Sequence, residues 1–321
     1  MKPSVLLTRR LPQGVMDFLA ERCDVTLFDE DRPIPPDRLL TEVKGKRGLI
    51  PMLTDRVDDA VLEAAGPDLA VVANYAVGYD NVDVEACTRR GVVVTNTPDV
   101  LTDATADIAW SLILAASRRV VEGDRLVRGG GAWAWAPQFL LGREVTGKTL
   151  GVVGFGRIGR AVARRAEGFG MRVLYHARAP RGDAGGAGWR SLEDLLAQAD
   201  VVSVHLALTP ETRHRFGAAE FRSMKPTAVF VNTSRGPVVD EAALAAVLRN
   251  GEIFAAGLDV YEREPEVHPD LLGLDNVVLA PHLGSATVET RTAMGLLAAE
   301  NLVAVLDGKR PPTPVNPEVL G

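Results

Sequence analysis

Three short segments carry side chains able to move protons and hold anions: Asn232-Thr233-Ser234-Arg235-Gly236, Asp259-Val260-Tyr261-Glu262-Arg263-Glu264-Pro265 and Pro281-His282-Leu283-Gly284-Ser285-Ala286-Thr287. Each follows a short β-type run, at residues 228–231, 255–258 and 277–279, so in a parallel sheet all three converge on one carboxyl edge. Taken singly, Arg235 also fits a surface charge, Glu264 a solvated loop acid and His282 a satisfied or exposed histidine. Together they form a set that hydride chemistry can use. Reducing a ketone needs an acid for the developing alkoxide, a cation for a carboxylate, and a carboxylate that orients and charges the acid.

A hydride carrier needs its own site, and Thr149-Leu150-Gly151-Val152-Val153-Gly154-Phe155-Gly156-Arg157-Ile158-Gly159-Arg160 reads as strand, phosphate loop and helix. Gly154 suits the tight turn, Gly156 the approach of a pyrophosphate and Gly159 close packing of the helix. The N–H groups of the first turn, at Arg157 and Ile158, face the phosphates. In a chain with 31 glycines the G-x-G-x-x-G pattern alone is a weak signal. Its context strengthens it: Leu150 to Val153 is apolar and β-type, and Ile158, Val162, Ala163, Ala166 and Phe169 recur at helical spacing. A second strand then follows at residues 172–175. About 20 residues past the glycines, where an NAD site places an acid on the adenine ribose, stands Ala177. Arg178 and Arg181 follow it, with His176 beside them, so the element that repels a 2′-phosphate is missing and cations stand in its place. The expected cofactor is NADP(H), with NAD(H) as the alternative if these arginines form only a solvated basic loop.

The elements behind these residues alternate in an α/β pattern. In the first part, β-type runs at residues 5–8, 25–28, 48–51, 69–73 and 92–95 are separated by helical stretches such as 14–22 and 58–65. A polar turn, Asn74-Tyr75-Ala76-Val77-Gly78-Tyr79-Asp80-Asn81, lies at a strand's carboxyl end, where open sheets place ligands, although it also fits a plain connecting loop. A buried helix is expected over 104–118, capped near Asp103. Next comes Gly129-Gly130-Gly131-Ala132-Trp133-Ala134-Trp135-Ala136-Pro137, whose two tryptophans need a partner in the same subunit or in a neighbour. Beyond the phosphate loop, strands at 201–204, 228–231, 255–258 and 277–279 alternate with helices at 192–198, 218–224 and 241–250. A final helix spans 288–306, and the proline-rich tail at 311–317 is expected to be extended. Read linearly, these are two α/β units in tandem.

Composition narrows the function classes. With 321 residues, 46% hydrophobic and 24% charged, the chain suits two cores. A net charge of −6 gives no general attraction to nucleic acid or to an anionic membrane. No apolar run is long enough to span a bilayer and the N-terminus does not read as a signal peptide, so the expected compartment is the cytoplasm. Cys23 and Cys87 are the only cysteines, with no spacing suited to zinc; the expectation is two inert thiols, no disulfide and no metal.

The chain resembles the D-isomer-specific 2-hydroxyacid dehydrogenases, and within them the glyoxylate/hydroxypyruvate reductases. The resemblance runs nearly end to end, through residues 74–80, Thr97-Pro98-Asp99-Val100-Leu101-Thr102, the phosphate loop, residues 232–236, Gly257-Leu258-Asp259-Val260, Glu264-Pro265 and residues 281–287. It implies a Rossmann NAD(P)-binding domain at 99–284 inserted into a flavodoxin-like substrate domain at 1–98 and 285–321, both doubly wound parallel sheets. By the same resemblance His282 is the general acid, Glu264 its partner and Arg235 the clamp for carboxylate and carbonyl. The amides of Val77 and Gly78 hold the substrate carboxylate. Asp259, Thr233 and Gly284 contact the nicotinamide end, Ala207 lines the cofactor groove, and Thr102 joins the cofactor contacts. Trp135 is supplied to the partner's site in a homodimer. The implied activity is NADPH-preferring reduction of small 2-keto acids, glyoxylate to glycolate and hydroxypyruvate to D-glycerate, with 2-ketogluconate among the other candidates. No regulatory extension follows the last helix, unlike the longer, serine-regulated phosphoglycerate dehydrogenases. The rival from another class is a corepressor-like dinucleotide sensor of the same fold, which the triad does not separate from the enzyme.

Overall fold

Short β-branched runs alternate with helical stretches along the chain. In the computed structural model, which describes residues 2–321, they form two units: the residues up to Leu101 with Ala286–Gly321, and Thr102–Ser285. The first unit contains β1 (Ser4–Leu7), α1 (Gln13–Arg22), β2 (Asp24–Leu27), α2 (Pro36–Glu42), β3 (Gly48–Ile50), α3 (Asp59–Ala65), β4 (Val71–Ala73), α4 (Val84–Arg89) and β5 (Val93–Thr95). Every pairing is parallel, in the order β2-β1-β3-β4-β5, which is the flavodoxin-like arrangement. β3, β4 and β5 are buried throughout, as continuous Val/Ile/Leu-rich runs must be when helices cover both faces of a parallel sheet. α3 and α4 start where acids cap them: the Asp58 carboxylate accepts from the amides of Ala60 and Val61, and that of Asp83 from Ala86.

The second unit holds α5 (Thr102–Arg118), α6 (Val120–Arg128), β6 (Thr149–Val153), α7 (Arg157–Ala166), β7 (Arg172–His176), β8 (Gly188–Trp189), α8 (Leu192–Gln198), β9 (Val201–Val204), α9 (Ala218–Arg222), β10 (Val229–Asn232), α10 (Glu241–Arg249), β11 (Ala255–Leu258), α11 (Pro269–Leu272) and β12 (Val277–Leu279). Its parallel sheet runs β12-β11-β10-β9-β6-β7-β8. The strand order reverses between β6 and β9, and a doubly wound sheet binds ligands at the carboxyl ends of such a pair. Helix α12 (Val288–Leu306), capped by Thr287, returns to the first unit, where Ala298, Ala299 and Leu302 pack with Val5, Leu7 and Val71. The architecture is therefore an insertion, as the resemblance implies, and not the tandem that a linear reading gives.

Two local expectations change, and one further helix is present. α5 begins at Thr102, which puts Asp103 inside the first turn and not at the cap; its carboxylate meets Arg165 at 3.0 Å and Arg164 at 3.7 Å. The tail is extended only in part, bridging Thr95 at Pro314 and closing in a 3-10 turn at Pro317–Leu320. α6 is present where no helix is expected, and none of its residues is buried.

Candidate active site

The phosphate loop lies at the switch point. Gly154 has φ +93°, and a Cβ there would stand 2.4 Å from the carbonyl oxygen of His205, just past β9. A Cβ at Gly159 would stand 2.1 Å from the carbonyl oxygen of Gly154, so helix α7 can seat against its own loop only without a side chain. At Gly156, the N-cap of α7, a Cβ would meet nothing within 4 Å, and no side chain caps the first turn at Arg157 and Ile158. At the carboxyl end of β10, the Thr233 hydroxyl is buried with no hydrogen-bond partner among the described residues. Open space over the helix N-terminus and an orphaned buried hydroxyl farther along the edge fit a dinucleotide.

Arg178 and Arg181 stand exposed on the turn after β7, and Ala177 is partly buried. The Trp189 indole donates to the Ala177 carbonyl at 3.1 Å. His176 does not join the arginines: its Nδ1 lies 3.0 Å from the Arg190 carbonyl oxygen.

The three ionisable segments follow β10, β11 and β12, which are neighbours in the sheet. His282 Nδ1 lies 2.8 Å from Glu264 Oε2, each side chain about a quarter exposed. Glu264 Oε1 accepts from the Tyr261 amide at 3.1 Å, and the Tyr261 hydroxyl donates to the Ala280 carbonyl at 2.8 Å. The turn that carries the acid is thereby tied to the strand that delivers the histidine. Burial, with the carboxylates of Asp259, Glu241 and Glu264 nearby, pushes the Tyr261 phenol up, so it remains a donor. His282 has φ +55°, a conformation uncommon for a residue with a Cβ, and its amide donates to the carbonyl of Asp259 at 3.0 Å.

Asp259 is buried, and both of its carboxylate oxygens are engaged by the loop bearing the histidine: Oδ1 accepts from the Leu283 amide at 2.6 Å and Oδ2 from the Gly284 amide at 2.8 Å. Burial pushes its carboxyl up against the opposing pull of these amides and of His282. The Gly284 carbonyl accepts from the Thr105 hydroxyl of α5 at 3.1 Å. Arg235 is half-buried beside Thr233; its Nη1 donates to the Ser234 carbonyl at 2.8 Å, and the Asn232 amide group donates to the Arg235 carbonyl at 3.0 Å. Ala207 is exposed in the loop after β9, its carbonyl accepting from the Thr212 hydroxyl at 2.7 Å. Thr102 opens α5, half-buried.

In the first unit, Val77 and Gly78 sit in the loop after β4. The Asn96 side chain donates to the Val77 carbonyl at 2.7 Å and that of Asn74 to the Gly78 carbonyl at 2.9 Å. Among the described residues neither loop amide donates to an acceptor in the chain. Two asparagines thus hold the carbonyls and leave the amides for an anion. Asn96 and the interaction between Asn74 and Asn81 were not legible beforehand; asparagine at the ends of adjacent strands is the only signal. His205 was also missed. Its Nε2 lies 2.9 Å from the Ser203 hydroxyl, its Nδ1 is buried with no hydrogen-bond partner among the described residues, and burial lowers its pKa to about 3.

In the loop at 129–137, Trp133 stacks on Phe139 with ring centroids 6.4 Å apart, while Trp135 is 83% exposed in the single chain. Among the described residues no helix is long and apolar enough to cross a membrane.

The chain is similar over nearly its whole length to proteins already known. The family described as D-isomer specific 2-hydroxyacid dehydrogenase, NAD binding domain, matches residues 110–284. A glyoxylate reductase of Thermococcus kodakarensis is 52% identical over 328 residues, covering 100% of this chain and 98% of its own. A Thermus thermophilus protein of known structure superposes with a TM-score of 0.92 at 49% identity, covering 97% of this chain and 99% of that one. An NADPH-dependent glyoxylate/hydroxypyruvate reductase of Sinorhizobium meliloti, solved with NADP and malonate, gives 0.85 at 36% identity, covering 98% and 97%.

Proposed function

The chain belongs to the D-isomer-specific 2-hydroxyacid dehydrogenases, and from that premise we propose that it reduces small 2-keto acids, glyoxylate and hydroxypyruvate first, with NADPH as the preferred cofactor. The observation that carries this reading is the His282–Glu264 pair at the carboxyl edge of the dinucleotide sheet. Bound there, the reduced nicotinamide supplies the hydride that the keto carbon accepts.

The chain's own residues do the rest. With Nδ1 directed at the Glu264 carboxylate, His282 keeps Nε2 for the substrate and gives its proton to the carbonyl oxygen as that oxygen gains negative charge. Glu264 orients the ring so that Nε2 is the nitrogen left for the substrate. Arg235 holds the carboxylate and polarises the carbonyl, and the amides of Val77 and Gly78 receive the carboxylate. Arg157, Ile158 and the glycines Gly154, Gly156 and Gly159 hold the pyrophosphate; Thr102, Ala207, Thr233, Asp259 and Gly284 line the remainder of the cofactor. Arg178 and Arg181 take the 2′-phosphate where an NAD site would place an acid. Trp135, exposed in the single chain, closes the site of a second copy in a homodimer.

Purified chain given NADPH should consume glyoxylate and hydroxypyruvate at rates typical of enzymes, with kcat of order 1–10³ per second. Tight NADPH binding without turnover of either acid would contradict the proposal and favour a sensor of the same fold.

A further inference from the structure

Tyr175 links two parts of the cofactor cradle that are far apart in sequence. It is 1% exposed in β7, and its ring stacks on Phe155, the residue between the glycines of the phosphate loop, with centroids 4.1 Å apart and planes 24° from parallel. Its hydroxyl accepts from the Arg181 amide at 2.7 Å and donates to the Arg181 carbonyl at 3.4 Å. The face of one buried ring therefore touches the phosphate loop while its tip holds the turn that carries the arginines.

That turn has few other ties. The Trp189 indole holds its first residue, Ala177, and Arg160 pairs with Asp183 farther on; neither bond involves Arg181. Arg178 and Arg181 are themselves exposed. A flexible cation that captures a phosphate loses rotamer and backbone freedom on binding, and a backbone fixed beforehand reduces that loss. A ring locked by stacking and burial is a rigid post for such fixing.

We infer that Tyr175 is a positioning residue for cofactor selectivity: through its bonds to the Arg181 backbone it sets the arginine turn in place for a nucleotide bearing a phosphate on its adenosine 2′-oxygen. The inference rests on the reading that Arg178 and Arg181 receive that phosphate. It assigns Tyr175 no contact with the ligand.

The test is a calorimetric titration of the full chain with adenosine 2′,5′-bisphosphate and with adenosine 5′-monophosphate, for wild type, Tyr175→Phe, Arg181→Ala and the double variant. Tyr175→Phe keeps the stacked ring and removes only the hydroxyl, and retained monophosphate binding reports an intact cradle. The Kd for the bisphosphate should rise roughly three- to tenfold, the worth of one hydrogen bond, while that for the monophosphate changes less than twofold. Once Arg181 is alanine, the Tyr175 change should add less than a further twofold. A Tyr175→Phe chain that keeps the wild-type ratio of the two constants, or weakens both nucleotides equally, overturns the positioning role alone. A wild-type chain that binds both nucleotides equally overturns the phosphate reading, and this inference with it.

Discussion

His282 Nδ1 lies 2.8 Å from Glu264 Oε2, and the second oxygen of the same carboxylate accepts the Tyr261 amide, so the acid that faces the imidazole cannot swing away without breaking a backbone bond. A carboxylate on Nδ1 fixes the tautomer with the proton on that nitrogen and leaves Nε2 for a second partner. The pair recurs in many proton-transfer sites. Here its position beyond neighbouring strands of a dinucleotide sheet gives it a reaction to serve.

Arg235 should not tolerate lysine. A guanidinium grips a carboxylate through two parallel N–H bonds, and an ammonium offers only a point charge. For Arg235→Lys the KM for glyoxylate should rise and kcat fall together, by about tenfold or more in kcat/KM. Steady-state kinetics indistinguishable from wild type would remove the clamp.

Cofactor preference should follow the turn after β7. Two charge-assisted contacts of about 1.5–3 kcal/mol each would favour NADPH by about 10²-fold or more, less where water screens the exposed arginines. Combining Ala177→Asp with Arg178→Ala should reverse the preference, since it restores a repulsive carboxylate and removes a cation. The measurement is kcat/KM for NADPH over NADH at fixed glyoxylate; a wild-type ratio below one contradicts the reading.

The exposed Trp135 should find its partner in a second copy. Sedimentation at micromolar concentration should give a dimer, and Trp135→Ala should widen the range of keto acids accepted by removing a bulky wall. A monomer under those conditions would contradict the shared site.

His205 should make stability fall with acid. Its native pKa near 3 lies below the ordinary value of 6.5, so between the two the unfolded chain binds a proton that the folded chain refuses. The contribution is complete above about pH 6.5 and is lost as pH falls toward 3, by at most about 1.4 kcal/mol per pH unit. Melting temperatures of wild type and His205→Gln at pH 7, 5.5 and 4 should diverge, the variant losing less. Parallel declines would show that the imidazole titrates normally in the native state.

Much of this architecture is legible because parallel strands advertise themselves. β10, β11 and β12 are short apolar runs within one residue of the expected positions, and they place Arg235, Glu264 and His282 on a common edge. The glycine loop is legible for the same reason, since Gly154 and Gly159 stand where no side chain fits. What stays hidden depends on contacts distant in sequence. Nothing near Asn96 announces a bond to the Val77 carbonyl 19 residues earlier, and nothing in Tyr175 announces a ring laid on Phe155.

The most direct test of proton donation by His282 is kcat for glyoxylate reduction by His282→Ala at saturating NADPH, with NADPH affinity measured alongside by fluorescence titration. The expected result is a loss of about 10²–10⁴-fold in kcat with cofactor affinity held within about threefold. A His282→Ala enzyme turning over within about threefold of wild type would contradict the assignment of His282 as the acid.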